Sequence, residues 1–229
     1  MATAKTATTI KIKAIRDIDA TVRIVGDTPL IVHKWSTKAK RMLKAGQAAY
    51  CGNDITEKEE YAGPMESFIN SLYWMTPKPT EYTEDAFIAA LNGGAKFGFR
   101  VEAFKNAAID AAYSKKWIPN KKSVKGLFFI VPDCVDDEGN QLVEIKGDAP
   151  EIREDIVVLG GMSRTPDLRW RPQFTNWYVD LHIRFDADGI YSFQDIVNML
   201  NAGGRYSGIG EYRPEKDGQF GMFHIQPTE

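Results

Sequence analysis

The chain has 229 residues, of which 43% are hydrophobic and 26% charged, with a formal net charge of −2; that is the composition of an ordinary globular protein long enough to bury a real core. No apolar run approaches the roughly 18 residues a membrane span needs. The opening MATAKTATTIKIK lacks the apolar stretch of a secretory signal, so a cytoplasmic protein with a short disordered N-terminal arm is expected.

A near-neutral total argues against a protein that coats duplex DNA by charge alone. The charge is unevenly spread, however. Lys34, Lys38, Lys40, Arg41 and Lys44 form one basic run, and Lys115, Lys116, Lys121, Lys122 and Lys125 another. Nine acids stand against two bases between Asp133 and Asp155. Such runs are either local binding faces or simply solvated surface. Cys51 and Cys134 form no CxxC pair, and His33, His182 and His224 lie far apart in strand-like stretches. No disulfide framework, metal site or cofactor motif is expected from them.

Taken in chain order, Ile10 to Ile15 and Thr21 to Val25 alternate apolar and polar residues, the mark of half-buried strands. Gly26-Asp27-Thr28-Pro29 turns the chain before Leu30 to Val32. A helix is expected from Ser36 or Thr37 to about Ala49, and another over Pro64 to Trp74, where Phe68, Ile69, Leu72 and Tyr73 recur at helical spacing. Thr83 to Leu91 reads as a short helix closed by Asn92-Gly93-Gly94. Val101 to Tyr113 reads as a longer helix, with Val101, Phe104, Ala108 and Ala112 on one face. Gly126 to Val131 is a continuous apolar run, read as a buried central strand. Glu138-Gly139-Asn140 marks a hairpin, and Ile156 to Leu159 a short strand. The segment Gly160 to Pro172 is polar, basic and punctuated by glycine and proline. Trp177 to Phe185 alternates again, Ser192 caps a helix from Phe193 to about Asn201, and Gln219 to Ile225 closes as a strand.

With 34–98 and 134–173 set aside as insertions, the remaining order over 10–33, 99–133 and 174–229 is strand, helix, strand, strand, helix, strand. That is the βαββαβ order of an α+β, ferredoxin-like core in a single domain.

The segment with the most chemical content is Gly203-Gly204-Arg205-Tyr206-Ser207-Gly208-Ile209-Gly210 and its continuation to Gly221. Lying between a helix and a strand, it is neither a P-loop nor a dinucleotide fingerprint, both of which run from strand to helix. Its glycines permit positive φ and remove side-chain bulk, so that peptide N–H groups can face a phosphate. Arg205 and Arg213 supply charge, while Tyr206 and Tyr212 can stack on bases. The alternative is a helix C-cap followed by a crossover packed beneath the sheet.

A helix, this glycine-rich loop and then a strand resemble the signature of the RAMP superfamily, the ferredoxin-like RNA-binding proteins of CRISPR effector complexes, and in particular their filament-forming backbone subunits. Those proteins open their first core helix with a Pro-Gly-Ser-Ser-hydrophobic-Lys-Gly phrase. Here Phe99 to Ala108 matches it at Phe104-Lys105 but lacks the Pro-Gly-Ser-Ser lead-in. The resemblance covers about half the chain and leaves both insertions unmatched.

The resemblance implies a protein that assembles side by side along single-stranded RNA or DNA, into a homo-oligomeric filament or a larger ribonucleoprotein complex. It also implies that 134–173 is a projecting thumb hairpin, with Arg164, Arg169 and Arg171 for phosphates and Trp170 or Met162 as a wedge between bases. Lys38, Arg41, Arg100, Lys105, Arg205, Tyr206, Gly208, Gly210 and Arg213 complete the candidate nucleic-acid-binding set. Asp27 occupies the turn where some RAMP backbone subunits carry an RNA-cutting aspartate, although Asp favours such turns without any chemistry. A structural or virion-type assembly protein that binds no nucleic acid is the rival reading.

Overall fold

The computed structural model describes residues 14–34, 63–158 and 166–227. The expected helix from Ser36 and most of the strand at Ile10 to Ile15 lie outside these ranges; residues 14–16 have no regular structure. The fold is α+β with antiparallel sheets.

Strict alternation sets the centre of the main sheet. β1 (Asp17–Gly26) and β10 (Trp177–Asp186) run antiparallel, with Val22 opposite Leu181 and Ile24 opposite Val179. These inward residues are buried. The residues between them face outward and pair across the strands: Arg23 with Asp180 at 2.7 Å, and Arg184 with Asp19 at 2.8 Å. Such exposed pairs contribute little individually, about 0–1 kcal/mol each, but they fix which face turns to water.

β11 (Phe223–Ile225) pairs with the outer edge of β1, and β5 (Phe128–Val131) pairs with β10 on the other side. The local order is therefore β11-β1-β10-β5, antiparallel throughout. Beyond β5, β10 also pairs at Trp177 and Tyr178 with β7 (Gln141–Gly147). From there the sheet continues to β4 (Phe97–Arg100) and β3 (Tyr73–Trp74). β6 (Cys134–Val135) closes on β7 around the expected Glu138-Gly139-Asn140 turn. A second sheet holds β2 (Leu30–Ile31), β9 (Pro166–Phe174) and β8 (Glu151–Val158), in the order β2-β9-β8.

Two sequence expectations are corrected. β5 is not a central strand: it has a single partner among the described residues, and Phe129 is exposed, because only alternate residues of its apolar run meet the core. The helix from Pro64 stops at Ser71, and Tyr73 and Trp74 turn into β3 to join Phe97 and Gly98. Pro166 to Phe174, which overlaps the polar, basic segment Gly160 to Pro172, is a strand paired with β8 from Pro166 to Gln173.

Residues 63–98 also carry more of the core than an insertion needs to. α1 (Pro64–Ser71) and α2 (Glu84–Asn92) set Phe68 edge-on to Phe87, Phe87 edge-on to Trp74 and Trp74 edge-on to Phe97, with centroids 4.9–6.2 Å apart. The helix starts follow their local chemistry. Thr83 caps α2, accepting from the Ala86 amide. Ser192 and Asp195 form a reciprocal capping box at the start of the last helix.

That helix, α4 (Phe193–Tyr206), packs on α3 (Val101–Ser114) through small residues. α3 presents Ala107, Ala108, Ala111 and Ala112, all buried. α4 runs through Gly203 and Gly204 rather than stopping at Asn201. A Cβ at Gly203 would lie 2.8 Å from the Ala108 nitrogen, and one at Gly204 only 1.9 Å from the Phe223 carbonyl oxygen. These two glycines serve helix–helix and helix–strand contact, not a ligand. Both helices share one core with Val22, Ile24, Val179, Leu181 and Ile183. Among the described residues no helix is long and apolar enough to cross a membrane.

Candidate nucleic-acid interface

The structure divides the glycine-rich candidate site between two clefts, at the two ends of α3.

The first cleft, of about 320 Å³, holds Gly208, Gly210 and Arg213 of the loop opposite Arg100, at the end of β4, and Asn106 of α3. Gly208 and Gly210 both have positive φ, 63° and 79°. A Cβ at Gly210 would also lie 2.5 Å from the Ile31 carbonyl oxygen, so the next residue can dock: the Glu211 amide donates to that same oxygen at 3.0 Å. The loop is thereby tied to β2, and through β2 to β9. It also reaches the base of the β8–β9 hairpin, where the Arg171 guanidinium lies 5.4 Å from the Tyr212 ring centre and that of Arg153 4.7 Å from Phe220.

The charges of this cleft are largely paired. Arg213 bonds Glu215 at 2.8 Å and donates to the Gly210 carbonyl at 2.9 Å. Arg100 lies 3.4 Å from Glu102, and Lys121 2.6 Å from Asp110. Glu211 faces His33 at 3.7 Å; the His33 ring, followed by the nearby Arg171 and Arg213 charges, holds its carboxyl below the usual range against the opposing effect of burial. Next to the cleft, Lys34 bonds Asp136 at 2.9 Å and sits over the Tyr73 ring. Burial alone would raise the Asp136 carboxyl, but hydrogen bonds from the Asn140 side chain, Lys34 and the Asn140 amide bring it down to about 2.

The second cleft, of about 620 Å³, lies along α4 and receives Arg205 and Tyr206 instead. There Lys115 donates to the Tyr206 hydroxyl at 2.6 Å and lies 3.9 Å from its ring centre. This contact, with Arg205 adding to it, lowers the Tyr206 phenol. Trp117 stands half exposed on the same wall.

The remaining candidates are dispersed. Trp170 is buried, and its indole N–H donates to Glu154 at 2.9 Å; Arg171 is only 3% exposed and lies 3.6 Å from Asp155. Neither the Trp170 expected as a wedge between bases nor the Arg171 expected at a phosphate presents its side chain to solvent: Trp170 is buried against β8 beside Glu154, and Arg171, on the opposite face of β9, is covered by Tyr212. Tyr212 is likewise engaged with Arg171 and Phe220. Arg169 is half exposed beside Asp167 at 3.1 Å. Lys105 lies 4.4 Å from the Phe129 ring centre on the face of α3 toward β5, where burial lowers its ammonium. Asp27 holds its turn through its amide, which donates to Met222, and its carboxylate lies 2.6 Å from His224 Nδ1. Lys38, Arg41, Met162, Arg164 and Cys51 fall outside the described residues. Cys134 is a free thiol.

Sequence reasoning passed over Trp117 and Tyr191 of the second cleft and the Lys34–Asp136 pair. The available signal for Trp117 was its place inside the basic run from Lys115 to Lys125. No family model matches this chain, and no curated protein matches it significantly.

Proposed function

We propose that this chain is a single-stranded nucleic-acid-binding protein, RAMP-like in design, which packs side by side along RNA or DNA with little regard to sequence. The observation that carries the reading is the placement of the loop from Ser207 to Met222. It borders a cleft with Arg100 on one side and braces the base of the β8–β9 hairpin on the other. Supporting it, the order β11-β1-β10-β5 with α3 and α4 sharing one core is what a ferredoxin-like βαββαβ unit requires.

The hairpin suits contact with a neighbouring copy. Ile152, Ile156, Val158 and Leu168 occupy one face of it and are exposed, Ile156 by 75%. A ribbon with an apolar exposed face is a surface that seeks a partner. The paired arginines are no obstacle to phosphate binding. The Arg100–Glu102 pair is about half exposed, and exposed pairs of this kind are worth about 0–1 kcal/mol. Exchanging glutamate for phosphate therefore costs little, while the acids around the cleft keep affinity modest and salt-sensitive.

The test is fluorescence anisotropy with labelled single-stranded RNA and DNA of several sequences, repeated across salt concentrations. Binding of all of them, with affinity falling steeply as salt rises, is expected. Arg100→Ala should weaken binding several-fold and reduce the log–log salt slope by about 1. A folded wild-type chain that binds no strand at low salt overturns the proposal.

One observation favours the assembly-protein reading: the apolar hairpin face needs a neighbour but no nucleic acid. Oligomers that persist unchanged after nuclease treatment, with an absorbance spectrum free of nucleic acid, would select it.

A further inference from the structure

The larger cleft, between the end of α3 and the outer face of α4, plays no part in the reading above. The sequence builds it as a polar, one-ended groove. Asp195, Asn198, Ala202 and Arg205 recur at spacings of three and four and so share one face of α4. Buried Met199 and the small Ala202 leave room at the floor. The acid and the cation stand at opposite ends, ten residues or about 15 Å apart along the helix. The Asp195 carboxylate is already engaged, accepting from the Ser192 amide and hydroxyl. Lys115 and Arg205, by contrast, have no acidic partner among the described residues, unlike the paired arginines of the first cleft.

The aromatic wall is equally available. α3 ends with Lys116 in the left-handed region, φ 59°, and the Trp117 amide donates back to the Ala112 carbonyl at 2.9 Å. This tight reversal places Trp117 on the groove wall, where its indole is 49% exposed and makes no ring contact among the described residues. Lys115 braces Tyr206 alongside it.

An exposed indole beside two cations that have no acidic partner among the described residues, in a cleft whose volume falls within the range of small-molecule sites, suits a flat ring bearing an anion. The geometry points to a mononucleotide-binding site: the base stacks on Trp117, the phosphate lies between Lys115 and Arg205, and the Asn198 amide meets the base edge. A ring on indole supplies stacking that tolerates any base, and Arg and Lys supply charge-assisted hydrogen bonds to phosphate. The nucleotide can be free in solution or part of a strand.

The experiment distinguishes these sources. Isothermal titration with AMP, adenosine and inorganic phosphate is run beside anisotropy with an oligoadenylate, using wild type, Trp117→Ala, Trp117→Phe and Arg205→Ala. Both alanine sites are exposed, and unchanged thermal melts confirm folding. AMP should bind, adenosine and phosphate far more weakly. Each alanine variant should lose about tenfold in affinity, with Trp117→Phe largely restored. AMP binding lost in the variants supports a free mononucleotide, whereas an effect confined to the oligonucleotide supports a nucleotide within a strand. AMP binding without oligonucleotide binding keeps this site and removes the function proposed above. Oligonucleotide binding indifferent to all three variants, with no AMP binding, removes this site and keeps that function. Binding of neither overturns both.

Discussion

The two clefts at the ends of α3 are built on opposite terms. In the loop cleft the glycines bring backbone against backbone, and each arginine has a glutamate beside it. In the α4 groove the walls are side chains, and two cations and an indole have no such partner among the described residues. Glycine content is therefore a poor guide to ligand binding. Close approach explains Gly204 and Gly210 through the carbonyls of Phe223 and Ile31. Capacity for a ligand lies where polar and aromatic groups have not been spent on the fold.

The sharpest way to break this comparison is Gly204→Ala. If Gly204 serves a ligand, the substitution should spare stability. If it serves packing, the added carbon meets the Phe223 carbonyl oxygen and ring, and β11 must shift. Alanine gains about 1 kcal/mol of helix propensity, but overpacking against backbone exceeds that. A net loss of about 3 kcal/mol in urea unfolding is expected. A variant as stable as wild type would return Gly204 to the list of ligand-facing residues.

A smaller effect tests whether the polar groups beside the loop cleft are committed to the fold. The Asp136 carboxylate is 6% exposed and titrates at about 2, below its ordinary value of 3.8. A depressed carboxyl stabilises the folded state above its unfolded pKa, and that contribution is lost as pH falls through the folded value. It is thus complete at neutral pH and fades between about pH 5 and pH 2, amounting to about 2 kcal/mol. Asp136→Asn should lose about that much at pH 7 and little at pH 2. Unfolding curves at the two pH values give the measurement; equal losses at both would show a packing role rather than a charged one.

How far the sequence reveals this arrangement depends on how local the cause is. The alternation in β1 and β10, the helix near Thr83 and the cap at Ser192 are local, and they were legible. The end of α4 was not, because Gly203-Gly204 reads as a stop unless Ala107 and Ala108 are known to lie opposite. Trp170 and Arg171 read as exposed contact residues because nothing nearby in sequence announces β8 across from them or Tyr212 over Arg171. Only part of the candidate site came together: Arg100, Gly208, Gly210 and Arg213 share a cleft, while Arg205 and Tyr206 belong to the other. The α4 groove was hidden for the same reason, since Trp117 and Arg205 are 88 positions apart in the chain.

The smallest expected effect concerns the turn that presents Trp117. Lys116 occupies the position after the α3 cap, where a left-handed residue lets the Lys116 and Trp117 amides reach back to Tyr113 and Ala112. Glycine is the usual occupant there, because a Cβ costs about 1–2 kcal/mol in that conformation. Lys116 is exposed and makes no ion pair among the described residues, so little offsets the strain. Lys116→Gly should therefore stabilise the chain by up to about 1 kcal/mol in urea unfolding, less whatever glycine adds to the entropy of the unfolded chain. If the lysine charge contributes to the field of the groove, the same variant will also bind AMP slightly less well. A gain in stability with a small loss in affinity would mark a turn in which strain is tolerated for a cation beside the site; a gain with unchanged affinity would mark Lys116 as strain alone.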